Sequence, residues 1–224
     1  LREDSFVINP SNPETLYVAV DTAGGIGKGV FKTTDGGRNW KEVNSGLFKE
    51  VQGLAIDPDN PDTLYAGTIF GGVFKTTNGG KRWFELEDSP HEYNWSLAVD
   101  NLNPDVIYVG NLGTGISMSR DAGQSWARFN TQLTSRTVFA LKIDPIHPST
   151  IYAGTSRGVF RLTHAFDNII AAPNSDGTSI DIEYQFNKDT GIEPLGFNLY
   201  RSASTEGDFE RITDSILEPG SMAF

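Results

Sequence analysis

The sequence contains no cysteine, and that absence removes disulfides, thiolate chemistry and cysteine-ligated metal sites. No stretch approaches the roughly 18 apolar residues that a membrane-spanning helix needs, and no signal peptide is visible at Leu1. Histidine is scarce. His91, His147 and His164 fall in unrelated contexts, and neither a Ser–His–Asp set nor a zinc spacing is present. Positive charge is short as well: the net charge of −11 argues against a nucleic-acid backbone as partner. The shortage is uneven. Residues 165–224 carry 3 basic against 11 acidic groups, while residues 1–164 carry 15 against 18. That shift marks a boundary near Thr163–Asn174. Helical periodicity is also missing from residues 1–164.

What the chain does have is a phrase that returns at intervals of 43 residues. It reads TTDGGRNW at Thr33–Trp40, TTNGGKRW at Thr76–Trp83 and SRDAGQSW at Ser119–Trp126. Around it lies a longer unit. From Val51 to Leu86 four short apolar runs alternate with turn chemistry: VQGLAI, TLYAGT, GVFKTT and RWFEL. Landmark tyrosines keep the register, with Tyr17, Tyr65, Tyr108 and Tyr152 separated by 48, 43 and 44 residues. The turns before them echo one another, each with a proline that fixes φ beside an Asn or Asp that can bond nearby backbone.

Four-stranded units at this period point to an all-β chain built of β-propeller blades. Three blades read as complete and a fourth as partial, over residues 1–164. Residues 165–173 read as a linker, and residues 174–224 as a partial β-sandwich-like module. The phrase itself reads as structure. Its Asp or Asn accepts backbone N–H bonds in the turn between the third and fourth strands. Its glycines Gly37, Gly80 and Gly123 permit unusual backbone angles. Its tryptophans Trp40, Trp83 and Trp126 pin the turn by burial. One carboxylate per turn is too few for calcium. No metal and no cofactor is expected.

The phrase resembles the Asp-box, or BNR repeat, Ser/Thr-x-Asp-x-Gly-x-x-Trp. The matching positions are Thr33, Asp35, Gly37 and Trp40; Thr76, Asn78, Gly80 and Trp83; and Ser119, Asp121, Gly123 and Trp126, with Asn78 departing from the aspartate. The resemblance extends to sialidases, sortilin-type receptors, xyloglucan-cleaving glycoside hydrolases and Ycf48-type photosystem II assembly factors. It implies a propeller and leaves catalysis to other residues. The tail, with GFNLYRS at Gly196–Ser202 and GDFERI at Gly207–Ile212, resembles fibronectin type III-like modules of bacterial secreted proteins. Together these imply an extracellular or bacterial cell-surface location. Both ends of the chain read as cut, and uncovered blade edges are expected to favour self-association.

In such a blade, loops one–two and three–four share one face; loops two–three and the inter-blade links share the other. The second face varies more in sequence. Its link EDSPHEYN is richest in chemistry, with Glu87, Asp88, His91, Glu92 and Tyr93; Asp21 and Glu50 lie on the same face. These seven are the ligand-binding candidates. No catalytic residue is assigned, because a glycosidase needs two carboxylates facing each other across the bond. The run GGIGKG at Gly24–Gly29 lacks the spacing of a phosphate loop, and Asn94–Ser96 matches a glycosylation acceptor. The leading expectation is a non-catalytic scaffold binding a protein or a polysaccharide. The alternative is a fragment of an Asp-box glycoside hydrolase acting on a β-glucan such as xyloglucan.

Overall fold

The computed structural model describes residues 5–20, 27–48, 50–130, 133–163, 166–173, 180–186, 200–201 and 210–211. Asp21 lies outside the described residues.

The chain divides into two compact units, Leu1–Thr163 and His164–Phe224. The first holds four antiparallel sheets with strands in sequence order. Blade one contains β1 (Phe6–Ile8), β2 (Leu16–Val20), β3 (Gly29–Thr33) and β4 (Lys41–Glu42). Blade two contains β5 (Val51–Ile56), β6 (Leu64–Thr68), β7 (Val73–Thr76) and β8 (Phe84–Glu85). Blade three contains β9 (Asn94–Val99), β10 (Ile107–Asn111), β11 (Gly115–Ser119) and β12 (Ala127–Arg128). Blade four has three described strands, β13 (Val138–Ile143), β14 (Thr150–Thr155) and β15 (Gly158–Thr163). The all-β, blade-by-blade reading of the sequence therefore holds, including the short fourth blade. In the second unit, β16 (Phe166–Pro173) pairs with β17 (Ile180–Phe186), and β18 (Tyr200–Arg201) pairs with β19 (Glu210–Arg211).

Burial explains why these runs are apolar in the way they are. The second strands of the two middle blades, LYAGT and IYVGN, are buried at all five positions. Neighbouring blades cover both of their faces, so the usual in–out alternation disappears. In blade one the same strand alternates, because only one face is covered. The core follows this layering. Tyr17, Val30 and Leu47 of blade one pack with Leu54, Leu64 and Trp83 of blade two. Tyr65 and Val73 of blade two pack with Leu97, Ile107 and Val109 of blade three.

The one–two turns repeat almost atom for atom. Asn9, Asp57, Asp100 and Asp144 each accept two backbone N–H bonds through Oδ1, from the residues two and three places on. A backbone bond then closes each loop, as from Asp57 N–H to the Thr63 carbonyl. The third–fourth turn docks on the same loop: Gly36, Gly79 and Ala122 donate to the carbonyls of Glu14, Asp62 and Asp105. Both turn types thus share one face of the blades.

Candidate functional site

The 43-residue phrase forms a self-contained turn. Thr33, Thr76 and Ser119 each donate a hydroxyl to Asp35, Asn78 and Asp121, at 2.7, 2.9 and 2.8 Å. The same hydroxyls accept from the backbone of Gly37, Gly80 and Gly123. Asp35 also accepts from the Asn39 side chain and backbone, which with Thr33 holds its carboxyl down at about 2. Burial opposes ionisation of Asp121, yet bonds from Ser125 and Ser119 outweigh it and keep its pKa below the ordinary aspartate value. These side chains are occupied by their own turns. The tryptophans differ among themselves. Trp83 is 1% exposed and donates Nε1–H to the Val43 carbonyl of blade one, whereas Trp40 is 40% exposed and bonds its own Gly37 carbonyl. Burial of Trp40 was expected from the sequence; among the described residues no neighbouring blade packs over it.

The opposite face is assembled by backbone bonds between two–three loops and inter-blade links. Ile69 N–H donates to the Glu50 carbonyl, and Phe70 N–H to the Glu92 carbonyl, both at 3.1 Å. Tyr93 forms an isolated bridge with Ile69 and accepts from Leu112 N–H. Glu50 and Glu92 therefore flank one loop, Ile69–Phe70, from two different links. Phe70 adopts φ 58°, a left-handed angle that bulky residues avoid, and its ring is 60% exposed. The ring meets Tyr93 edge-on with centroids 4.3 Å apart. Exposed Phe48 lies against Gly71 of the same loop: a Cβ on Gly71 would sit 2.9 Å from the Phe48 ring. A second edge-on pair, Trp95 and Phe139 at 6.3 Å, occupies the starts of β9 and β13.

Of the seven candidates, the structure groups Glu50, Glu92 and Tyr93 around Phe70. His91 turns aside to Glu85, with Nε2 3.1 Å from the carboxylate, over the positive-φ Gly72. Asp88, itself at φ 54°, lines a cavity of about 200 Å³ with Pro90, Ser117, Trp126 and Arg128. Glu87 is exposed beside it. Glu92 pairs through Oε1 with Arg128 Nη2 at 2.5 Å, while its Oε2 is enclosed and meets no protein donor.

Sequence reasoning missed the polar chain behind this face. Asn94 donates to the Gly72 and Pro90 carbonyls; Asn111 donates to Asn94 at 2.6 Å; Ser117 donates to Asn111; and Arg128 Nη1 donates to Ser117. The chain ends at Glu92 through the other arm of Arg128. Asn94, Asn111 and Ser96 are fully buried, so Asn94–Ser96 is structural and presents no surface acceptor for a glycan. A second cavity, of about 290 Å³, lies between the four first strands and includes Val7, Ile56, Val99 and Ile143 in its lining. None of the candidate acids lines it. Among the described residues no group of three His, Asp or Glu is placed to hold a metal ion, and no helix is long and apolar enough to cross a membrane.

No protein-family model matches the chain, and no curated protein matches it in sequence. Solved structures do match it in fold. The likeness is to GH74 enzymes. The Niastella koreensis GH74 enzyme superposes with a TM-score of 0.60 at 22% identity, over 72% of this chain and 28% of that one. An ancestral GH74 enzyme gives 0.59 at 20%, over 93% and 31%. The GH74 xyloglucanase of Xanthomonas campestris gives 0.58 at 17%, over 98% and 38%. At these identities the likeness is one of fold, and the chain spans about a third of the length of each GH74 structure.

Proposed function

We propose that this chain is a segment of a GH74-like, carbohydrate-active propeller that acts outside the cell on a β-glucan such as xyloglucan. Its share of that task is a sugar-contacting surface on the face of the two–three loops and inter-blade links. The observation that carries the reading is Phe70: an exposed aromatic in a left-handed conformation, paired with Tyr93, in a loop bracketed by the main-chain carbonyls of Glu50 and Glu92. A pyranose ring presents an apolar C–H face that stacks on aromatic rings, while its hydroxyls donate to carboxylates. Aromatic groups from three successive junctions, Phe48, Phe70–Tyr93 and Trp95–Phe139, suit an extended ligand better than a small one. The carboxylate of Glu92 is held by Arg128, so the acid tested for hydrolysis is Glu50. The tail keeps its reading as a fibronectin type III-like module within this proposal.

The test is retention of the purified chain on immobilised xyloglucan, with release of reducing ends followed in parallel. Loss of one stacking ring costs about 1 kcal/mol, so Phe70→Ala and Tyr93→Ala should each weaken retention roughly fivefold. Absence of both retention and cleavage overturns the reading. Retention without cleavage, unchanged in Glu50→Gln, assigns the chain a binding role alone.

A further inference from the structure

Blade three departs from the other blades along one connected line. At the place in the third strand where blades one, two and four have Phe31, Phe74 and Phe160, it has Ser117. Opposite that place on the fourth strand, Glu42 and Glu85 of blades one and two give way to Arg128. At the start of the first strand, Val51 and Val138 of blades two and four give way to Asn94, and their cross-strand partners Thr68 and Thr155 to Asn111. These four residues are the members of the hydrogen-bonded chain Asn94–Asn111–Ser117–Arg128. Three of them are buried. A buried hydrogen-bonded pair adds little stability over an apolar pair of the same shape, so stability does not account for the exchange. What the exchange yields is space and a fixed cation.

The space is the cavity of about 200 Å³ that Ser117 lines, where a phenylalanine ring would take up volume. The link between blades two and three closes it from the other side, through Asp88 and Pro90. Ser117 and Pro90 are buried at its floor, while Asp88 and Arg128 are exposed at its mouth. All of these groups belong to the two middle blades and the link between them. The walls carry three kinds of group. Ser117 and Glu92 each take an N–H from one arm of Arg128, which leaves the remaining guanidinium N–H groups as donors of fixed direction. Asp88 supplies a carboxylate that has no partner among the described residues. Trp126 spends its indole N–H on the Gly123 carbonyl and so offers ring surface.

We propose that this pocket binds one neutral polyhydroxylated ring, such as a single pyranose. Charge selects against the alternatives. Glu92 already balances Arg128, so Asp88 leaves an excess of negative charge that opposes an anion. The Arg128 guanidinium opposes a cation, and among the described residues no three His, Asp or Glu are grouped to hold a metal ion. A hydroxyl both gives and accepts a proton, so neighbouring hydroxyls of one ring satisfy Asp88 and Arg128 together, while the ring's C–H face lies on Trp126. Drug-sized ligands occupy roughly 300–1,000 Å³. At about 200 Å³ this pocket takes one ring and not an oligomer. The proposal stands on the pocket's own walls, and it holds whether or not the Phe70 surface binds a glucan.

The experiment is titration of the isotope-labelled 224-residue chain with glucose, followed by NMR at the indole N–H of Trp126, whose resonance is assigned with Trp126→Phe. Glucuronate and glucosamine present the same ring with a negative and a positive charge. Glucose should give a saturable shift, and both charged sugars should bind more weakly. Ser117→Phe, which restores the residue of the other blades, should abolish the shift, with thermal melting to confirm that it remains folded. Asp88→Gly removes the carboxylate at a position whose φ of 54° suits glycine, and it should weaken glucose about tenfold; it decides the matter alone if Ser117→Phe does not fold. Phe70→Ala should leave the titration unchanged, which separates this pocket from the aromatic face. Absence of a saturable shift with glucose overturns the proposal, as does a shift that survives Ser117→Phe, ignores Asp88→Gly or is lost in Phe70→Ala. Tighter binding of either charged sugar overturns the assignment of a neutral ring.

Discussion

The three copies of the repeated phrase differ at several positions, and some of the differences have a clear physical consequence. Ala122 sits where the first two copies have Gly36 and Gly79, and all three adopt positive φ, at 56, 66 and 65°. A Cβ in the left-handed region costs about 1–2 kcal/mol. Ala122→Gly should therefore stabilise the chain by roughly 1 kcal/mol, less the extra entropy of glycine when unfolded, as read from denaturant midpoints. A midpoint that falls would show that the methyl is packed favourably. Asp35 and Asn78 differ in titration. The carboxyl of Asp35 is held at about 2 against 3.8 unfolded, so its stabilisation is complete above 3.8 and is lost as pH falls through about 2. Asp35→Asn should flatten the acid limb of a stability–pH curve, and Asn78→Asp should steepen it. Trp83 and Trp40 differ in cover. Trp83→Ala should cost about 3–5 kcal/mol, as buried tryptophans do, and Trp40→Ala clearly less. Equal losses would mean that the turn, and not the seam, is what tryptophan supports.

At the scale of elements, the third strand of each of the first three blades is begun by a side chain from the link that follows its fourth. Asn44 accepts from Val30 N–H, Ser89 from Val73 N–H and Asn130 from Ile116 N–H. Asn44 and Asn130 also donate to the carbonyls of Lys28 and Thr114, closing the two–three loop from both sides. Removing one acceptor strands a buried donor, which costs about 1–3 kcal/mol. Asn130→Ala should lose that much in denaturant unfolding and should speed hydrogen exchange at Ile116 while leaving Val30 protected. Exchange rising equally at all three strands would show that the caps act on the whole molecule. The strands and both kinds of first-face turn were legible in the sequence, because alternation, Asx chemistry and glycine act over a few residues. The caps and the Asn94–Asn111–Ser117–Arg128 chain were not. Asn44, Ser89 and Asn130 fall at unequal spacings because the second link is longer, and Asn94 carries the outward look of a glycosylation acceptor while being wholly buried. Their partners lie across a loop or on the neighbouring strand, beyond the reach of local pattern.

For the molecule as a whole, the period predicted blade number and register, and the loop assignment put Glu50, Glu92 and Tyr93 on one face. What periodicity could not supply was which acid ends beside which aromatic: Phe70, missed in the sequence, is where the links of Glu50 and Glu92 converge.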